Sequence, residues 1–361
     1  MHSPFPHDRL PSKKEFFGRN EELGKIRQTI EHGGNLLIHS KRRMGKSALA
    51  RHFLESLKAK QIAIYVDIFD ITSKEAFAKA LLKALANAQK GELKTVIKKL
   101  ATLFKRVRIE PTIDPNTLEY AIKPVFTTLS FEEMMEDFFN GITTLARENP
   151  VVVAIDEFQQ IAAIDDVRLD ALLRKQIQQR ENTSYIFLGS KRHLLTSLFE
   201  YKAPLYEMAT HFELPPLKLE EIEAYVLQHL DIDRRLLELI YEKADGETRL
   251  MQNIFHLLYL EREKPVSESG IEAAITEIIA SKDASFRMLY DTLSNNQKAA
   301  LKIIGKQRGS TYGADILREY DIKKQTLQSA IQALQTKELI DKEHDRFFLP
   351  DRTFELWVKQ L

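Results

Sequence analysis

The chain has 361 residues, 43% of them hydrophobic and 29% charged, and it carries no cysteine. That length holds two or three domains and a sizeable core, and the missing cysteine excludes disulfides, thiolate metal sites and a cysteine nucleophile. Lys and Arg number 53 against 52 Asp and Glu, so no global field points to nucleic acid or membrane, and any basic surface must be local.

Residues 1–14 lack the apolar core of a signal peptide. No stretch approaches the roughly 20 apolar residues of a membrane helix, so the chain reads as cytoplasmic with no membrane partner. Residues 35–39 form a buried-strand candidate, followed by a helical segment over 46–58, and 61–68 read as a second strand. Thr72 and Glu75 form a capping-box pattern opening a helix to about 88. An insertion then occupies about 89–126. It holds a basic helical stretch, 93–106, and a hairpin of 107–113 and 118–122 around the turn signal Asp114-Pro115-Asn116. Lys94, Lys98, Lys99, Lys105 and Arg106 give the basic stretch either a solvated face or a partner-binding one. Ser130 and Glu133 make a second capping box, with a helix to about 148. Residues 151–155 are the most apolar strand; 168–180 are helical, and 185–188 and 211–214 are a fourth and fifth strand. This alternation predicts an α/β fold with a parallel sheet flanked by helices.

Beyond 217 the pattern turns helical, over 219–229, 234–244, 248–263 and 269–293. A final unit opens near Ser294, where Ser294 and Gln297 again resemble a capping box. Its helices cover 297–305, 314–320 and 324–337, the last with Leu327, Ile331 and Leu334 on one face. Residues 339–342 and 346–349 read as a β wing with His344-Asp345 at its tip. Three helices and a wing make a winged helix-turn-helix. The division is therefore 1–217, 218–290 and 291–361.

The chemistry concentrates in two motifs. Ser40-Lys41-Arg42-Arg43-Met44-Gly45-Lys46-Ser47 follows a strand and opens a helix; it matches G-x-x-x-x-G-K-[ST] with Ser40 in place of the first glycine. Backbone N–H groups of such a turn and the helix N-terminus point at phosphate oxygens. Lys46 would reach the β- and γ-phosphates of ATP, and the Ser47 hydroxyl would ligate Mg²⁺. The candidate nucleotide-binding set runs from Ser40 through Ala48, and Lys41, Arg42 and Arg43 either touch nucleotide or are solvated. The second motif is Val151-Val152-Val153-Ala154-Ile155-Asp156-Glu157, an apolar strand ending in two acids. Asp156 would hold Mg²⁺ and Glu157 would polarise the attacking water; a helix cap is the alternative use of such a pair. Ser190, after the next strand, is either a γ-phosphate sensor or a polar strand end. None of the ten histidines has metal-site spacing.

Phe16-Phe17-Gly18-Arg19-Asn20-Glu21-Glu22-Leu23, together with these motifs in this order, with Leu214-Pro215-Pro216-Leu217 and with the ending from Phe348 to Trp357, resembles the archaeal-type ATPases. These belong to the STAND branch of P-loop NTPases, related to AAA+ proteins; origin-recognition ATPases carry a similar box. The resemblance spans about 15–360. It implies a five-stranded parallel core, a helical lid and a winged helix, with Gly18 and Arg19 lining the adenine and ribose side. Arg249, near the sensor-two position of related ATPases, is then either a γ-phosphate contact or part of a surface salt bridge. One departure bears on turnover: where relatives carry Gly-Arg after Pro-Leu-Tyr, this chain has Glu207-Met208 after Pro204-Leu205-Tyr206.

These readings predict an ATP- and Mg²⁺-dependent, slowly hydrolysing ATPase switch, with Lys46, Asp156, Glu157, Ser190 and Arg249 as its catalytic candidates. The alternatives are a DNA-binding regulator with an ATP-sensing site and a non-hydrolysing scaffold for a protein partner. Lys323, Lys324, Gln328, Lys337 and Arg346 are the residues that would contact duplex DNA. The competing use of the module is packing on the core or on a partner, with Trp357 as a packing anchor.

Overall fold

The computed structural model describes residues 2–58, 61–88, 108–113, 120–125, 129–164, 169–179, 181–190, 192–262, 264–306, 311–343 and 346–361. The basic stretch expected at 93–106, the turn at 114–116, and residues 191 and 344–345 lie outside them. The chain divides into two compact units: Arg19–Ser40 with Gly45–Pro215, and Met1–Gly18 with Lys41–Met44 and Pro216–Leu361.

The first unit is built on β1 (Leu36–His39), β2 (Ile62–Asp67), β5 (Val151–Asp156), β6 (Thr183–Gly189) and β7 (Thr210–Glu213). They form one sheet in the order β2-β5-β6-β1-β7, and every pairing is parallel. β5 and β6 are buried along their whole length, as strands covered on both faces must be, which is why Val151 to Ile155 is uninterrupted hydrocarbon. The helices are α1 (Asn20–Glu31), α2 (Lys46–Glu55), α3 (Lys74–Asn87), α4 (Phe131–Ala146), α5 (Leu169–Gln178) and α6 (Arg192–Phe199). β3 (Arg108–Ile113) and β4 (Tyr120–Val125) pair antiparallel, giving the expected hairpin. Ser130 and Glu133 form a reciprocal capping box, and α4 buries Phe131, Met134, Phe138 and Ile142 on one face. At α3 the cap is Ser73, whose hydroxyl accepts from the Ala76 N–H, one residue later than the Thr72 pattern suggests.

The second unit holds α7 (Leu219–Val226), α8 (Arg234–Ala244), α9 (Thr248–Leu260), α10 (Glu268–Ala280) and α11 (Asp283–Asp291). The single helix expected over 269–293 is broken at Ser281 and Lys282. The Ser281 hydroxyl donates to the Ile278 carbonyl at 2.7 Å, a local bond that competes with helix continuation. The winged helix follows: α12 (Asn295–Lys306), α13 (Ala314–Glu319), α14 (Lys324–Thr336), β8 (Asp341–Glu343), β9 (Arg346–Phe348) and α15 (Arg352–Lys359). Ser294 and Gln297 exchange hydrogen bonds at 3.1 and 3.3 Å, so this cap forms as read. Leu327, Ile331 and Leu334 are buried, and Trp357 packs with Phe286, Tyr290 and Phe354 while donating to Asp283 at 2.7 Å. Phe5 is fully buried against Tyr225 and Phe255, anchoring an N-terminal segment that carries no periodic signal. Among the described residues no helix is long and apolar enough to cross a membrane.

Candidate functional site

The sheet register brings the two motifs to one edge. His39, the last residue of β1, lies opposite Gly189 at the end of β6, and Ile155 of β5 lies opposite Phe187. Ser40, Ser190 and the Asp156-Glu157 pair therefore all follow the carboxyl ends of neighbouring parallel strands, where open α/β sheets bind ligands.

Gly45 caps α2 with φ of 91°, and a Cβ there would meet nothing within 4 Å. The left-handed backbone favours glycine, and the open space beside it leaves room for an anion to approach the helix N-terminus. Lys46 begins α2 and is buried; its Nζ donates to the Ser40 carbonyl at 3.2 Å and to the Ser40 hydroxyl at 3.1 Å. The substituted serine thus supplies a side-chain partner to the loop lysine. Ser47 and Ala48 follow on the same helix and are half-buried.

Asp156 is 2% exposed. Its Oδ2 accepts from the Tyr65 hydroxyl at 2.5 Å and its Oδ1 from the Glu157 N–H at 2.9 Å. Both are neutral donors, and together with the Ser47 hydroxyl the carboxylate makes an all-oxygen donor set of the kind a hard cation prefers. Glu157 has a left-handed backbone, φ 55°, which turns its side chain out of the strand. Its carboxylate accepts from the Gln159 amide and, at 3.4 Å, from the Ser190 hydroxyl. Gln159 is fully buried and Gly189 leaves it room: a Cβ on Gly189 would lie 2.4 Å from Gln159 Oε1. Sequence reading missed Tyr65 and Gln159; alternation in β2 and a polar residue two positions after the acid pair are the signals that could have found them.

Gly18 and Arg19 both adopt positive φ, 68° and 65°. In the second unit a Cβ on Gly18 would lie 2.9 Å from Glu221 Oε2. In the first unit Arg19 is buried and donates to Glu22 at 3.0 Å and to the Pro215 carbonyl at 2.6 Å.

The loop residues Lys41–Met44 are held by acids of the second unit. Arg43 pairs with Asp351 at 2.6 Å and Glu247 at 3.9 Å, Arg42 with Glu338 at 2.8 Å, and Lys41 with Glu343 at 3.8 Å and Asp245 at 3.9 Å. The loop cations are thus paired rather than simply solvated. Burial pushes Glu247 up to about 7, a rise that Asp351 reinforces and Arg43 opposes. Arg249 is exposed and its Nε donates to the His7 carbonyl at 2.9 Å, while its N–H donates to the Arg43 carbonyl at 3.3 Å. A cavity of about 480 Å³ in the second unit is lined by Lys41, Arg42, Glu343, Arg346 and Phe348, among others. Lys46, Ser47 and Asp156 are not among its walls.

Of the DNA-contact candidates, Lys323, Lys324, Gln328, Lys337 and Arg346 are all exposed. α14 carries no acidic residue, and Gln325, Ser329, Gln332 and Thr336 extend its exposed polar face.

A parallel sheet in this order, a Gly-Lys-Ser loop after its β1 strand and a buried Asp-Glu pair at an adjoining strand end define a P-loop ATPase fold. Comparison with known proteins agrees: the family model described as "ATPase domain predominantly from Archaea" matches residues 16–256, and the chain belongs to that family. A second model, described as "Probable winged helix domain", matches residues 284–360. Among solved structures the chain is similar to a Walker-type ATPase of Pyrococcus abyssi, at 19% identity and a TM-score of 0.66, over 99% of this chain and 100% of that one. It is also similar to the ORC2 protein of Aeropyrum pernix in ADPNP–ADP complexes, at 15% identity and TM-score 0.52, over 99% and 97%. The ORC1 protein of Aeropyrum pernix in complex with DNA matches at 14% identity and TM-score 0.51, over 96% and 93%. No protein of curated function matches the sequence significantly.

Proposed function

We propose that this protein binds Mg-ATP at the 40–48 loop, hydrolyses it slowly, and acts as a STAND-type switch whose nucleotide state sets its winged helix. The observation that carries the reading is the shared strand-end edge: Ser40 and Lys46, Ser190, and Asp156 with Glu157 all follow the carboxyl ends of β1, β6 and β5. Lys46 leaves Ser40 to meet the β- and γ-phosphates. Ser47 and Asp156 hold Mg²⁺, which when bound neutralises charge on the phosphate oxygens. Glu157, kept in place by Gln159 and Ser190, orients the attacking water and draws its proton. Arg249 as a γ-phosphate contact, and Gly18 and Arg19 on the side of the base, belong to the same proposal. The absence of an arginine at 207–208 supports slow turnover. The division into core (1–217), lid (218–290) and winged helix (291–361) belongs to the same proposal, as does a cytoplasmic location. Glu157→Gln tests the hydrolytic part: phosphate release should fall at least about 100-fold with ATP still bound. Equal turnover in variant and wild type would remove Glu157 from the mechanism.

A specific observation favours a second reading alongside it, duplex DNA binding through α14. That helix is free of acids and exposes Lys324, Gln325, Gln328 and Ser329, and a DNA complex is recorded for a protein of similar fold. Binding to random-sequence duplex should weaken as salt rises, and Lys324→Ala should lower the log–log salt slope by about 1. No binding at low salt, with or without ATP, would leave a protein partner as the module's ligand.

A further inference from the structure

We propose that Tyr65 is a positioning residue for the metal-holding carboxylate of Asp156. This rests on the reading of Asp156 as a Mg²⁺ ligand and adds a residue to it. In the β2–β5 pairing Tyr65 lies opposite Ala154, and Asp67 opposite Asp156. Side chains alternate along strands, so Tyr65 and Asp156 share one face of the sheet, one step apart on the diagonal. Ala154 is the one small residue in an otherwise branched apolar run. The phenol reaches across to donate to Asp156 Oδ2 at 2.5 Å, while Oδ1 accepts from the Glu157 N–H. Two donors on two oxygens fix the rotation of the carboxylate and leave its remaining lone pairs for a cation.

The ring is itself held. Arg51, on the helix that starts at Lys46, places its guanidinium 4.1 Å from the Tyr65 ring centroid. A line of contacts therefore runs from α2 through Arg51 and Tyr65 to Asp156. Donors that orient a ligating carboxylate are worth about 10- to 100-fold in metal affinity.

Tyr65→Phe removes only the hydroxyl and keeps the ring and its stack on Arg51. The experiment is binding of a fluorescent ATP analogue to the full chain as free Mg²⁺ is varied, for wild type, Tyr65→Phe and Asp156→Asn, with Mn²⁺ resonance spectroscopy as a direct metal readout. Tyr65→Phe should need about 10-fold more Mg²⁺ or Mn²⁺ for half-maximal effect, with metal-free nucleotide binding unchanged. Asp156→Asn should lose the metal enhancement. A Tyr65→Phe curve that overlays wild type while Asp156→Asn shifts would reduce Tyr65 to a packing residue and overturn the proposal. Should Asp156→Asn also overlay wild type, or wild type bind no nucleotide, the metal reading of Asp156 fails and the proposal goes with it. Loss of metal-free binding in Tyr65→Phe would likewise overturn it, because the effect would then be on the fold of the site.

Discussion

The Ser40 hydroxyl sits where the phosphate-loop pattern has glycine, and it accepts from the Lys46 ammonium at 3.1 Å. An incoming triphosphate competes with that bond. A net hydrogen bond is worth about 1 kcal/mol, or roughly five-fold in affinity. Ser40→Ala, which keeps the backbone restrained, should therefore tighten ATP binding about five-fold in an equilibrium titration; weaker binding would show that the hydroxyl assists the nucleotide. Glu247 makes a second prediction at this scale. Its ionisation is raised from 4.5 to about 7 by burial, so between those values the folded state binds more protons than the unfolded. Stability of the second unit should then fall as pH rises from about 4.5 to about 7 and level off above it. The full shift corresponds to about 3 kcal/mol, an upper bound. Glu247→Gln should flatten that slope in melting curves recorded across the window; an unchanged slope would assign the charge-linked loss elsewhere.

α15 shows how one element closes the winged helix. Asp351 caps it by accepting from the Phe354 N–H at 3.1 Å. Trp357 is buried and fixes it to α11 through Phe286, Tyr290 and Asp283. Trp357→Ala should cost about 3–5 kcal/mol, read as a lowered denaturation midpoint, whereas a loss below about 1 kcal/mol would mean the helix is anchored by other contacts. Elements of this kind were legible where the signal is local. The all-apolar run of β5, the capping boxes at Ser130 and Ser294, and the face of Leu327, Ile331 and Leu334 each lie within a few residues of one another. α1 went unread: it begins after a left-handed Arg19 with no side-chain cap to mark its start. The break between α10 and α11 carries neither glycine nor proline, and the choice between Thr72 and Ser73 depends on a single backbone turn. The contacts that shape the acid pair were not readable, because Tyr65 and Ser190 reach it from 91 and 33 positions away.

Among the described residues two buried clusters are built, one from the sheet and α3–α4 and one from the helices after Pro216 with Phe5. Charge near neutrality hides a local contrast: an acid-free α14 face on one side of the ledger, and on the other the acids that hold Lys41, Arg42 and Arg43. The proposed switch depends on the 40–48 loop enclosing a triphosphate, with Lys46 supplying the decisive charge. A ligand that binds only the folded chain stabilises it by about 2.7 kcal/mol at 100 times its dissociation constant. The most direct test is calorimetric titration of Mg-ATP into wild type and Lys46→Ala, paired with their melting temperatures. Saturable binding and a raised melting temperature in the wild type, both lost in Lys46→Ala, are the expected result; identical isotherms for the two proteins would contradict it.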